Sequence, residues 1–149
     1  VCNVLSALFT DAHVAAWEVA VDGIAMEVEI GVLIFPSGPY RSGSKINFAY
    51  GTVVTLDGNN EANPVFLFQA LSTLVTAADT YLILRNGAKA ENVYWALGTA
   101  ATLGANSVVE GSILAGTAIT FGAKSELHGC ALAQSAVTFA GGGYSDLTD

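Results

Sequence analysis

Positive charge is what this chain most lacks: its 149 residues hold 5 Lys and Arg against 13 Asp and Glu, a formal net charge of -8. A surface so poor in cations cannot neutralise a phosphate backbone or grip an anionic bilayer, so neither nucleic acid nor membrane is expected as a partner. Charge of either sign is scarce, at 12% of residues. Catalysis by clustered acids and bases has little material to draw on, and no catalytic set, metal-ligand set or cofactor motif stands out. Cysteine is sparse too. Cys2 and Cys130 fit no zinc spacing and read as isolated small hydrophobes rather than as a bridge. No apolar run reaches the ~18 residues needed to cross a bilayer, and no basic-then-apolar leader is evident. The chain therefore reads as a mature secreted form or an intracellular protein, one domain spanning 1–149.

What is present is repetition. Cut in sixes from Val93, the chain reads VYWALG, TAATLG, ANSVVE, then GSILAG, TAITFG, AKSELH, then GCALAQ, SAVTFA, so that Val93, Gly111 and Gly129 occupy equivalent positions eighteen residues apart. A unit that short cannot close a core alone, so each copy must be one coil of a solenoid whose neighbours bury its inward side chains. The expected fold is mainly β: three short strands per coil, stacked as parallel ladders about 4.8 Å apart.

The three columns differ in chemistry. From Val93 to Ala140 the formal charges are Glu110, Lys124 and Glu126, all in the third column, which reads as the ordinary wet face. The first column (Tyr94, Trp95, Leu97, Ile113, Leu114, Leu132) is apolar on both strand parities, which a strand tolerates only when its outer side is covered. The second column carries no charge and repeats small and hydroxylated residues: Thr99-Ala100-Ala101-Thr102, Thr117-Ala118-Ile119-Thr120 and Ser135-Ala136-Val137-Thr138. With Ile119 and Phe121 inward, alternation places Ala118 and Thr120 outward, with Ala100, Thr102, Ala136 and Thr138 stacked beside them.

Upstream, Val14, Trp17, Val21, Ile24 and Val28 recur at steps of three and four behind Thr10 or Asp11. That spacing predicts an amphipathic helix over about 11–28, whose apolar stripe is a natural cover for the first column. Solenoid coils are expected from about 31 to 144, with Gly31 to Phe35 a buried strand and Pro36 to Ser44 a turn. Thr52 to Thr55 and Thr73 to Thr76 are expected to continue the second column, giving five Thr or Ser residues each three before a Thr. A one-residue shift at Thr73 to Thr76 would swap its inward and outward residues.

The segments VFLFQALSTLVT, NGAKAENVYWALGTAATLG, GSILAGTAIT and LHGCALAQSAVTF resemble the microbial ice-binding (antifreeze) protein family, with the run from Asn86 to Gly104 the most specific. The resemblance implies a right-handed β-solenoid of triangular cross-section, one long helix along one face, and adsorption to ice through another, flat face. It implies a secreted monomer whose partner is the ice crystal surface, and no enzyme. In relatives the ice-facing strands often read Thr, then Ala or Gly, any residue, then Thr or Asn. Thr99 to Thr102 and Thr117 to Thr120 fit; Val53 and Leu74 depart at the second place, and Ser135 replaces Thr. The implied ice-binding set is Thr52, Thr55, Thr73, Thr76, Thr99, Ala100, Thr102, Thr117, Ala118, Thr120, Ser135, Ala136 and Thr138.

Two other functions suit parts of the pattern. LGTAAT, LGANSV, VEGSIL, AGTAIT and FGAKSE also fit the hexapeptide repeat of left-handed solenoid acyltransferases, for which His128 is the candidate base. No carboxylate at useful spacing is expected to orient it. An adhesion module using the uncharged sheet is the third possibility.

Overall fold

The computed structural model describes residues 24–25, 29–30, 33–140 and 144–145, with side chains from 34 to 140. Eighteen strands in this range wind through six coils of three. The first coil is β1 (Ile24–Ala25), β2 (Glu29–Ile30) and β3 (Leu33–Pro36), and the second is β4 (Gly38–Ser42), β5 (Ile46–Phe48) and β6 (Val53–Asp57). The third is β7 (Phe66–Ala70), β8 (Leu74–Thr76) and β9 (Tyr81–Arg85), and the fourth is β10 (Val93–Leu97), β11 (Ala101–Leu103) and β12 (Val108–Glu110). The fifth is β13 (Ser112–Ala115), β14 (Ala118–Phe121) and β15 (Glu126–His128), and the sixth is β16 (Ala131–Ala133), β17 (Ala136–Phe139) and β18 (Tyr144–Ser145).

Each strand pairs in parallel with the one three later in the chain, giving three six-stranded sheets, one per side of the coil. The first, second and third sheets hold the first, second and third strand of each coil. The register reproduces the eighteen-residue repeat: Trp95 pairs with Ile113 and Ile113 with Ala131, while Thr102 pairs with Thr120 and Thr120 with Thr138.

Alternate residues of all three sheets meet in one axial core. Phe48, Leu56, Phe66, Phe68, Leu74, Trp95, Leu103, Ile113, Ile119 and Phe121 are fully buried there. Because stacked coils place equivalent residues directly above one another, aromatic rings form a column. Tyr40 stacks on Phe68 at 5.3 Å and Phe68 on Trp95 at 4.3 Å, an offset arrangement that favours ring contact beyond the area buried. The Trp95 indole N–H donates to the Glu110 carbonyl at 3.0 Å, so its one polar group is satisfied.

The corners follow from backbone requirements. Between the second and third sheets one left-handed residue recurs in each of four coils: Gly51, Asp79, Asn106 and Lys124, with φ of 71, 57, 59 and 58°. Directly after each stands a buried hydroxyl, Thr52, Thr80, Ser107 and Ser125. Each donates to the carbonyl three residues earlier: Thr52 to Ala49 at 2.6 Å, Thr80 to Ala77 at 2.8 Å, Ser107 to Gly104, and Ser125 to Gly122 at 2.8 Å. Between the first and second sheets, Gly116 lies so close to the coil below that a Cβ there would meet the Gly98 carbonyl oxygen at 2.3 Å. Any side chain at Gly116 would push two coils apart.

Several expectations need correction. Most of the helix expected over 11–28 lies outside the described residues, but at its far end Ile24 and Ala25 are strand, paired with Tyr40 and Arg41. The helical spacing of Ile24 is thus coincidental. Among the described residues the helical element is a 3-10 turn, Ala90–Asn92. The turn expected from Pro36 to Ser44 contains strand β4, since Pro39 and the flanking glycine suit a chain turning out of one sheet and into the next. Cys130 is disulfide-bonded rather than an isolated small hydrophobe, a pairing that spacing alone does not reveal.

In its middle coils the first sheet is largely buried on both sides. Leu67, Ala96 and Leu114 point away from the axial core yet are as inaccessible as Phe68, Trp95 and Ile113, which point into it. Apolarity on both parities is therefore matched by burial on both faces.

Candidate functional site

The outer side of the second sheet is different. Alternation sends Leu74, Ala101, Leu103, Ile119 and Phe121 into the core and leaves three outward ranks that run across five coils. One is a corner rank of hydroxyls, Ser44, Ser72, Thr99, Thr117 and Ser135. Its backbone is continuously bonded: Ser72 N to Ser44 O at 2.8 Å, Thr99 N to Ser72 O at 2.9 Å, Thr117 N to Thr99 O at 2.8 Å and Ser135 N to Thr117 O at 2.7 Å. The second rank is Lys45, Thr73, Ala100, Ala118 and Ala136, and the third is Asn47, Val75, Thr102, Thr120 and Thr138. Thr99, Thr102, Thr117, Thr120, Ser135, Ala136 and Thr138 are exposed, and Ala100, Ala118, Thr73 and Val75 are half-exposed.

In register, the rungs of one rank repeat at roughly 4.8 Å and alternate residues along a strand at about 6.6 Å. Threonine suits such a lattice because its β-branch leaves one or two χ1 states, so methyl and hydroxyl hold fixed positions. Lys45 is the one formally charged side chain in the three ranks across these coils, and it stands at the end farthest from Thr138. The remaining surface offers mainly methyl groups and hydroxyls in register, a chemistry suited to a flat, uncharged and periodic ligand.

The expected residues divide into three fates. Thr99, Ala100, Thr102, Thr117, Ala118, Thr120, Ser135, Ala136 and Thr138 share one plane. Thr73 shares it too, but one place off: Leu74 pairs with Ala101 and Val75 with Thr102, so Thr73 stands beside Ala100. Thr76 consequently points inward, 1% exposed, with its hydroxyl 3.2 Å from that of Ser107 and accepting from Gly104 N at 3.0 Å. Thr52 and Thr55 belong to the third sheet's coil segment. Thr52 is a rung of the buried corner ladder, and Thr55 faces outward on β6 between Ile34 and Ile83. The strand that does occupy the second sheet in that coil, Ile46-Asn47-Phe48, has no Thr signature. Ser44, Ser72, Asn47 and Val75 were missed as members of the face. A search for hydroxyls one residue before the Lys45, Thr73, Ala100 and Ala118 positions finds both serines.

The third sheet also departs from expectation. His128 Nδ1 lies 3.0 Å from Glu110 Oε1, and Nε2 lies 3.8 Å from Glu126 Oε1. The carboxylate thought absent is therefore present, eighteen residues upstream and one coil away. Farther down the same sheet, the Asp57 carboxylate accepts from Asn59 N–H at 2.8 Å, from Asn86 Nδ2 at 2.8 Å and from Arg85 Nη2 at 3.2 Å. The Asn59 bond foremost, then the Asn86 bond, holds its pKa below the ordinary carboxylate value. Among the described residues no group of three or more His, Cys, Asp and Glu could hold a metal ion.

Comparison with known proteins places this geometry. An ice-binding protein of Nostoc sp. (strain HG1) is 37% identical over 88 residues, which cover 59% of this chain and 32% of that protein. Ice-binding protein 1 of Shewanella frigidimarina (strain NCIMB 400) is 32% identical over 89 residues, which cover 59% of this chain and 10% of that protein. The chain thus spans about a third or less of the length of these curated relatives. The crystal structure of an ice-binding protein from the Antarctic ascomycete Antarctomyces psychrotrophicus superposes with a TM-score of 0.87 at 36% identity, covering 99% of this chain and 72% of that one. The sequence model of the Ice-binding-like family matches residues 5–142, and the chain belongs to that family.

Proposed function

We propose that this protein adsorbs to ice through the outer side of its second sheet and thereby restrains ice growth and recrystallisation. The observation that carries the reading is the in-register, charge-free array Ala100, Thr102, Ala118, Thr120, Ala136 and Thr138. Ice presents no charge and no cavity, only a lattice of oxygens at short repeats, so a complementary surface must be rigid, flat and periodic in two directions. Methyl groups leave first-shell water weakly held, while hydroxyls anchor it in fixed places. Thr99, Thr117, Ser135 and Thr73 extend the array. Thr52, Thr55 and Thr76 do not belong to it.

Five coils at about 4.8 Å by a four-residue span of about 13 Å give a face on the order of 300 Å². With half of that apolar, the attachment amounts to roughly 4 kcal/mol before ordering costs. Such a bond is broad rather than strong at any one contact. The related proteins named for ice binding support this reading. We further infer that the apolar stripe within 11–23 covers the buried outer side of the first sheet, and that the coil is right-handed, as parallel crossovers strongly prefer. A disulfide at Cys130 fits an oxidising, extracellular setting, where one copy of the chain would meet ice directly.

The test is the gap between melting and freezing of a dilute solution, measured with the shape of the growing crystal. Thr120→Tyr is expected to remove most of that gap while leaving the melting temperature of the protein unchanged, because Thr120 is exposed and faces away from the core. A folded variant with an undiminished gap would overturn the assignment.

A further inference from the structure

The third sheet is expected to be an ordinary polar surface, yet much of the outer side of its lower coils is apolar. Below Glu110, two of its three outward ranks carry no formal charge, while the third holds the paired Asp57 and Arg85. Ile34, Thr55 and Ile83 pair in one, and Val53, Tyr81 and Val108 in the other. Ile34 is 58% exposed, Ile83 47% and Tyr81 40%, so this apolar surface lies open rather than buried beneath a loop. Five of these six residues are β-branched, hence stiff at χ1. They stand on the same in-register coils as the second sheet, with the same spacing of about 4.8 by 6.6 Å. The charged groups at its margin are paired, Arg85 with Asp57 at 3.2 Å and Glu110 with His128 at 3.0 Å. Tyr50, 74% exposed, stands at the corner between the two sheets, hydrogen-bonded to Asp79 of the next coil.

Size decides what such a patch can hold. Three to four strands by two ranks give roughly 200 Å², well short of the ~800 Å² that each partner contributes to a stable protein interface. A crystal lattice sets no such threshold, since a small rigid patch adds to the attachment made elsewhere on the same molecule.

We propose that the outward patch of Ile34, Val53, Thr55, Tyr81, Ile83 and Val108 is a second ice-contact surface, engaging crystal planes that the Thr/Ala face of the second sheet does not. The inference rests on the protein being an ice binder, but not on which residues of the second sheet carry that activity. The two surfaces are inclined to each other across one corner of the coil, so a molecule held by one presents the other to a different lattice direction.

The experiment is adsorption of fluorescently labelled protein to a single-crystal ice hemisphere, comparing wild type, Thr120→Tyr, Ile83→Lys and the double variant, each checked for folding by circular dichroism. Thr120→Tyr is expected to keep labelling a reduced set of planes, Ile83→Lys to lose that set alone, and the double variant to label none. Tyr81→Lys serves in place of Ile83→Lys should the latter unfold. Wild-type planes fully retained in folded Ile83→Lys, or no labelling at all by folded Thr120→Tyr, would overturn the second surface and leave the first intact. Failure of the wild type to label any plane would defeat the ice-binding reading itself. A wild type that sediments as a dimer, with Ile83→Lys a monomer, would instead make the patch an interface between copies and overturn the proposal.

Discussion

The first and second sheets share coils, strand count and an inner side buried in the same core, yet their outer sides have opposite fates. On the first, Leu67, Ala96 and Leu114 are shut away from water; on the second, Ala118, Thr120 and Thr138 face it. Neither face bears charge at these positions. On the first sheet Leu67 and Leu114 are large and covered, whereas on the second a methyl beside a hydroxyl stands in solvent and keeps the sheet flat. Absence of charge alone therefore does not identify a binding face; exposure on an in-register sheet must accompany it.

The comparison is broken most severely from the covered side. Leu114→Asp would place an unpaired carboxylate where the side chain is 1% exposed, and an uncompensated buried charge costs on the order of 4 kcal/mol. Thermal melts should show a loss large enough to unfold much of the population, where Thr120→Asp on the open sheet leaves the melt nearly unchanged. A smaller effect separates inward from outward threonine within the second sheet. Thr76→Val removes a buried hydroxyl paired with Ser107 and should lower stability by about 1 kcal/mol with no change in freezing-point gap. Thr102→Val should do the reverse, sparing stability and weakening ice adsorption. Urea titration beside the freezing measurement distinguishes the two.

The smallest effect acts on the corner rather than on either face. Asp57 has a folded-state pKa below its unfolded value of about 3.9. Its contribution is present above that unfolded value and is lost as pH falls through the lower, folded one. Asp57→Asn should accordingly be slightly less stable than wild type at neutral pH, with the difference closing in acid. Melting temperatures across an acid series provide the check.

Much of this architecture was legible because the strict eighteen-residue copies from Val93 onward fix both coil and register. Upstream, excursions such as Asn86 to Asn92 stretch the spacing, and the pattern loses its anchor. Thr52-Val53-Val54-Thr55 has the same alternation as Thr117 to Thr120, but alternation reports only which side of a strand a residue occupies and not which of three sheets holds the strand. Leu74 and Val75 are both apolar, so hydropathy could not choose between two registers one residue apart; the stacked backbone bond from Ser72 to Thr99 does. The Glu110 partner of His128 was overlooked for a related reason. In a coiled chain the neighbour across a rung is eighteen residues distant, farther than any separation searched for on a single strand. The second, apolar patch was hidden because Ile34, Thr55 and Ile83 come from coils of unequal length.

The close approach of Gly116 to the Gly98 carbonyl makes one coil a near-translation of the next. A molecule assembled by such a step can be enlarged by copying eighteen codons in tandem, each duplication adding one rung of threonine and alanine without disturbing those already present. The reach of its working plane is thus open to adjustment by simple gene rearrangement, with no new fold to be found.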